Sequence, residues 1–461
     1  MKKLLIALFA ILFLFPAFSY TAGELRNSML ANNPDIRKAR EAVTQASLDV
    51  KDAKAGYTPT IDLTVIGSYI ANPIDPIRVN LGDYVNTSAY GVPNDYFTVY
   101  EGQESMYYQF SLSLTQPIFT WGKINNAVKL YEKVYDARVL QLEDAIEKAQ
   151  TELWTRIAAL DYLIGIRNLL DSQKEISLRL VQMADDARTN GMMLETEALS
   201  VKVQARQVDV AKAQVDQQIA LMLTELANLT GISELQATDI EFDESAVDAV
   251  VSELCGLEYQ ALLSKCLAGS RTTFRLLSRL SEIASLTHDI AGASVNWKPD
   301  FALVVNADYS GSRLPFAEKD WYGKDDWSAT ITIALKTTLY DGGKAVRNVQ
   351  RTESAMQDAS IDLDDARARI RSAVDENWTG LFVSLAEIDY QQALCDQKDA
   401  EIGVSKNLLD TGYGSETDYL QGQLEKNNCE IEMLRDRIDL ATSAYTLLYL
   451  QGEGSKPADR Q

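Results

Sequence analysis

The chain has 461 residues, with 44 Lys and Arg against 66 Asp and Glu, a formal charge of −22 that excludes electrostatic binding of nucleic acid. Its single histidine, His288, and its few cysteines make no nucleophile–His–acid set, metal-ligand cluster or phosphate loop, so it does not read as an enzyme and no cofactor or metal is expected. Length alone would suggest two or three domains, but an internal repeat argues for a different organisation.

The chain opens with MKKLLIALFAILFLFPAFSY: two lysines, an apolar run too short to span a bilayer, and a small-x-small site at Ala17-Phe18-Ser19. Residues 1–19 read as a signal peptide cleaved after Ser19 or near Ala22. No later stretch approaches 18 apolar residues, which excludes a helical membrane protein but not a β-barrel, whose strands alternate.

Residues 20–231 form the first repeat. Ile36, Ala39, Val43, Ala46, Val50 and Ala53 step by three and four, which predicts a helix. Two alternating strands follow at about 59–70 and 105–117, separated by a Pro-bearing insertion, 71–104, with Tyr84, Tyr90, Tyr96 and Tyr100, that reads as a plain loop, with a constriction or surface contact as the alternatives. The second strand passes Phe119 and Gly122-Lys123 into a helical hairpin over about 122–230 that turns at Gly191. No proline falls between Pro117 and Pro299, and none between Pro315 and Pro457, so nothing breaks either long helical tract. A helix over 123–188 would be roughly 100 Å long at 1.5 Å per residue. The inter-repeat segment 232–271 is mixed and acidic, with at least one short helix near 258–267. Cys255 and Cys266, eleven apart, would share a face in one helix yet be too distant to bridge.

Residues 272–452 repeat the pattern: a helix, strands at about 299–310 and 326–339, Tyr340, Gly342-Gly343, and a hairpin over about 342–450 that turns at Gly412. A tail, 453–461, follows. Gly122 and Gly343, Gly191 and Gly412, and Gly231 and Gly452 all stand 221 apart. Three landmarks at one offset mark a structural duplication.

Each of the four strands has one apolar and one mostly polar face, as in Ile61, Leu63, Val65 and Tyr69 against Asp62, Thr64 and Ser68. Such a sheet either packs on a core or faces lipid. Tyr57, Trp297, Phe119 and Tyr340 at one end, with Tyr69, Tyr107, Tyr309, Trp321 and Trp327 at the other, form the two aromatic bands of a membrane barrel. Four strands cannot close, and an open edge is not viable in lipid, so several copies must combine. Three copies would give twelve strands.

The order Asn33-Pro34-Asp35-Ile36, Ala53-Lys54-Ala55-Gly56-Tyr57-Thr58-Pro59, Gln116-Pro117-Ile118-Phe119 with Gly122, Tyr340-Asp341-Gly342-Gly343, and the closing Leu-x-Gly pairs resembles the TolC-type outer-membrane efflux protein family over nearly the whole mature chain. The resemblance implies a mainly α fold with membrane β: a homotrimer whose 12-stranded barrel in the outer membrane continues as an α-helical periplasmic barrel. It further implies a tip that docks a periplasmic adaptor (membrane fusion) protein and an inner-membrane pump, exporting drugs, small toxic compounds or proteins. The alternatives are a passive porin, which has no use for such long paired helices, and a periplasmic coiled-coil rod, which has no use for two-faced strands.

On that resemblance Gly191, Met192, Met193, Gly412, Tyr413 and Gly414 form the periplasmic tip, with Met192, Met193 and Tyr413 exposed and either contacting the adaptor or packing the turn. Glu197 and Asp418 would be a tip ring of acids, or simply acids at helix N-termini. Gly414 stands where family members carry a latch arginine, and Leu409 near a latch tyrosine, so that latch does not transfer. Phe119, Gly122, Tyr340, Gly342 and Gly343 mark the strand–helix joins. Cys395 and Cys429 lie 17 residues either side of Gly412, at equal height in an antiparallel hairpin, as a disulfide or as two buried thiols.

Overall fold

In the computed structural model, residues 20–84, 96–269, 271–295, 298–312 and 321–454 are described. Residues 1–19, read above as a signal peptide, Tyr90, Trp297 and the side chain of Trp321 lie outside them. The chain divides into two compact units, with boundaries at 46/47, 133/134, 281/282 and 356/357.

One unit is helical. Its first helix, α1 (Ala22–Asn32), is started by a capping box in which the Thr21 hydroxyl accepts from the Glu24 amide and Glu24 accepts from the Thr21 amide. The next helix, α2 (Pro34–Ala55), begins on a proline, whose missing N–H costs nothing at a first helical position. Buried Asn33 caps it, accepting from the amides of Asp35 and Ile36 at 2.9 and 3.1 Å while donating to the Leu229 carbonyl at 3.2 Å. The Asn-Pro-Asp-Ile motif is thus a helix start tied to a second helix. Two 67-residue helices, α3 (Lys123–Thr189) and α8 (Lys344–Asp410), each pair with a 36-residue return helix, α4 (Glu195–Thr230) and α9 (Glu416–Gln451). Their apolar seams meet in one core that includes Leu153, Leu160 and Ile166 of α3, Leu226 of α4, Leu381 of α8, and Leu447 and Leu448 of α9, all under 2 % exposed. The inter-repeat segment supplies the helix expected near 258–267, α6 (Tyr259–Cys266), and a second one before it, α5 (Glu244–Cys255). Cys255 and Cys266 therefore sit on separate helices, because Gly256 and Leu257 break the run; Cys255 is exposed and Cys266 buried, and both are free. Among the described residues no helix is long and apolar enough to cross a membrane.

The other unit carries the sheet. Strands β1 (Thr60–Tyr69), β4 (Met106–Phe119), β5 (Asp300–Gly311) and β6 (Asp326–Lys336) pair antiparallel in the order β1-β4-β5-β6. The register aligns the faces. Ile61, Leu114, Val305 and Ile331 form one apolar row across all four strands, and Asp62, Ser113, Asn306 and Thr330 form the next, polar row. On the polar face Ser111 donates to Asp308 at 2.6 Å and Ser113 to Asn306 at 2.7 Å. Pro117 cannot donate to a central ladder, and the register slips there, between Pro117 and Phe119. The fourth strand ends at Lys336, short of the expected 339, because the chain turns out of the sheet before Leu339 and Tyr340. Two short strands, β2 (Ile77–Asn80) and β3 (Tyr96–Tyr100), pair within the 71–104 insertion, which the sequence suggested as a plain loop. Helix α7 (Thr272–Val295) leads into β5.

Candidate functional site: two strand–helix joins and a two-turn tip

Each join leaves the sheet through a left-handed glycine. Gly122 has φ +80, and Gly342 and Gly343 have φ +68 and +79. Nothing lies within 4 Å of a Cβ added at Gly122, so backbone conformation rather than crowding demands glycine there. The first join is buttressed by Trp121, itself left-handed at φ 55, whose indole donates to the Pro299 carbonyl at 2.9 Å. Phe119 stacks edge-on against Trp121, 4.8 Å between centroids, and Lys298 sits over the indole at 5.3 Å. Lys123 contacts both oxygens of Asp300 at 2.9 Å. At the second join Asp341 caps α8, accepting from the amides of Gly343, Lys344 and Ala345 at 2.8, 3.0 and 2.7 Å. The Ala345 amide, followed by the other two, holds the Asp341 carboxyl below the usual carboxylate range. Tyr340 is 88 % exposed. Trp121, Asp300 and the capping role of Asp341 were missed from sequence. The motif around Asp341 was visible, but its hydrogen bonding was not.

At the tip, both turns are of the same kind. Gly191 and Gly412 take φ +74 and +80, the Met192 amide donates to the Ala187 carbonyl, and the Tyr413 amide donates to the Leu408 carbonyl. This is the 6→1 bond of a Schellman turn. Met192 and Tyr413 are 83 % and 89 % exposed and Leu194 is exposed beside them, whereas Met193, which the sequence suggested as exposed, is half-buried. Glu197 reaches back to the Leu194 amide at 3.1 Å, a helix-start role, while Asp418 lies exposed in the first turn of α9, whose cap is Ser415. At Gly414 a Cβ would fall 2.7 Å from the Leu409 nitrogen and 2.8 Å from the Leu408 carbonyl carbon, so no larger residue fits without moving backbone.

The structure supplies a tip contact that the sequence hid. Arg179 of α3 makes a two-pronged pair with Glu416 of α9, at 2.8 and 3.1 Å. Arg179 holds the Glu416 carboxyl below its usual range, and Glu416 raises Arg179 in turn. Further up, Cys395 and Cys429 are joined by a disulfide, Cα to Cα 5.8 Å, and both are buried. The 221-residue offset maps them onto Lys174 and Val208 of the first hairpin, where Lys174 instead pairs with the adjacent Asp209 at 2.9 Å. One hairpin is stapled covalently where its twin is held by an ion pair.

Among the described residues no group of His, Cys, Asp and Glu could hold a metal ion. Residues 25–232 match the family profile described as outer membrane efflux protein. No curated protein matches the sequence. The fold is similar to that of the outer membrane protein VceC from Vibrio cholerae, with TM-score 0.67, 16% identity, and coverage of 94% of this chain and 96% of that one. It is also similar to the CmeC outer membrane channel of Campylobacter jejuni, with TM-score 0.67, 15% identity, and coverage of 94% and 86%. The open state of the Neisseria gonorrhoeae MtrE outer membrane channel gives TM-score 0.57 at 13% identity, covering 94% and 89%.

Proposed function

As a member of the outer membrane efflux protein family, this chain, we propose, is the outer-membrane duct of a tripartite efflux or type I secretion system. It works as a homotrimer that exports drugs, small toxic compounds or proteins from a periplasmic adaptor and inner-membrane pump to the exterior. The observation that carries this reading is the apolar row Ile61–Leu114–Val305–Ile331, continued by Leu63, Leu112 and Ile333, on one face of a sheet with two open edges, where Ile61, Leu63, Leu112, Ile331 and Ile333 are exposed and Leu114 and Val305 half-buried. Water does not favour such a face; lipid does, once neighbouring copies close the edges. Helix α4 likewise exposes Leu199, Val203, Val210 and Leu221, a seam suited to lateral packing in a ring of helices. A passive porin leaves the long hairpins without a purpose, which favours the duct.

The exposed Met192, Leu194 and Tyr413 are the proposed adaptor contacts, aromatic and thioether groups at a tip being typical of interface anchors. Photo-crosslinkers placed at Met192 and Tyr413 in cells are expected to trap one periplasmic adaptor protein. Capture of no periplasmic protein from either position would overturn this assignment.

The Arg179–Glu416 pair is proposed to brace the two hairpins near the tip. Glu416→Gln is expected to raise single-channel conductance at neutral pH. Because the folded Glu416 pKa is depressed, the brace is present above the ordinary glutamate value of roughly 4.3 and is lost as pH falls through the lower folded value. Wild-type conductance should therefore approach that of the variant only in acid. A variant with wild-type conductance at every pH would remove the brace from the account.

A further inference from the structure

We propose that the two joins form a collar that binds anionic phospholipid headgroups of the leaflet facing the helices. This rests on the membrane placement of the sheet proposed above. The chain is strongly acidic overall, yet the joins are basic. Residues 119–130 hold Lys123 and Lys129 and no acid; residues 336–351 hold Lys336, Lys344, Arg347 and Arg351 against Asp341 alone. Asp341 is committed to three amides, and Asp300 to Lys123. Lys298, Lys344, Arg347 and Arg351 are exposed and meet no carboxylate among the described residues.

Their placement beside aromatic groups gives the charge a direction. Phe119 pairs with Phe301, so it lies on the apolar face of the sheet. Trp121 packs on Phe119, and Lys298 covers Trp121, which brings a cation to the edge of that face rather than to its polar side. At the second join Leu339 and Tyr340, 65 % and 88 % exposed, stand next to Lys344 and Arg347 in the same short stretch. An amphipathic ring with a cation beside it matches the acyl–headgroup boundary, where phosphate is the counter-ion.

The test uses the mature chain reconstituted in vesicles of phosphatidylethanolamine with or without one-fifth phosphatidylglycerol, then extracted gently for native mass spectrometry. The wild type is expected to retain phosphatidylglycerol about threefold over its one-fifth share of the bilayer. Lys298→Gln with Lys344→Gln and Arg347→Gln should lower retained phosphatidylglycerol to that share and leave phosphatidylethanolamine unchanged, and Lys298→Arg with Lys344→Arg should behave as wild type. Insertion without preference for phosphatidylglycerol, or equal retention by the glutamine variant, overturns the collar and leaves the membrane reading intact. Failure of the wild type to enter either vesicle overturns both.

Discussion

Replacing Gly122 and Gly343 together by valine is expected to abolish the assembled channel. Both glycines occupy the left-handed region, at φ +80 and +79. An ordinary L-residue there costs about 1–2 kcal/mol, and a β-branched one more, so six such positions in the proposed trimer amount to roughly 6–12 kcal/mol. That is comparable to the whole stability of a domain. Crowding is not the cause: a Cβ at Gly122 meets nothing, and the one at Gly343 meets only the flexible end of Arg347. Asparagine tolerates the left-handed region, so Gly122→Asn with Gly343→Asn should assemble close to normally. Outer-membrane fractions probed for a detergent-resistant oligomer would check this, and normal assembly of the valine pair would contradict the role given to the joins.

The second large effect separates the two faces of the sheet. Ile331 and Thr330 are neighbours in β6, but Ile331 joins the apolar row and Thr330 the polar one. Ile331→Lys places a charge toward lipid at a cost of about 2–4 kcal/mol per protomer near the membrane centre, and is expected to eliminate the oligomer from the membrane. Thr330→Lys would point the same charge into the proposed lumen, should assemble, and should shift ion selectivity toward anions in a bilayer recording. Equal tolerance of both lysines would mean that neither face meets lipid.

Periodic features were legible in the sequence, and of the pairwise ones only the Cys395–Cys429 pair was. The two-residue alternation of β1, β4, β5 and β6, the proline-free helical tracts and the 221-residue offset are repeated signals, which many residues carry at once. Arg179 and Glu416 are 237 residues apart and share no motif, so only the packed hairpins bring them together. Trp121 looked like one more aromatic residue; its left-handed backbone and its bond to Pro299 depend on where β5 begins. Helix α5 escaped notice because its four buried residues, Val247, Val250, Val251 and Leu254, span little more than two turns. The β2–β3 pair was hidden by the prolines of its insertion, which read as loop. At the tip, turn glycines marked the place correctly on the chain, but not that Met193 would turn inward or that Gly414 is hemmed by backbone.

The most direct test of the central claim is reconstitution of the purified mature protein into planar lipid bilayers alongside its mass in detergent. A trimer that inserts and gives discrete conductance steps is the predicted result. A monomer that stays in water after detergent removal and passes no current would contradict it.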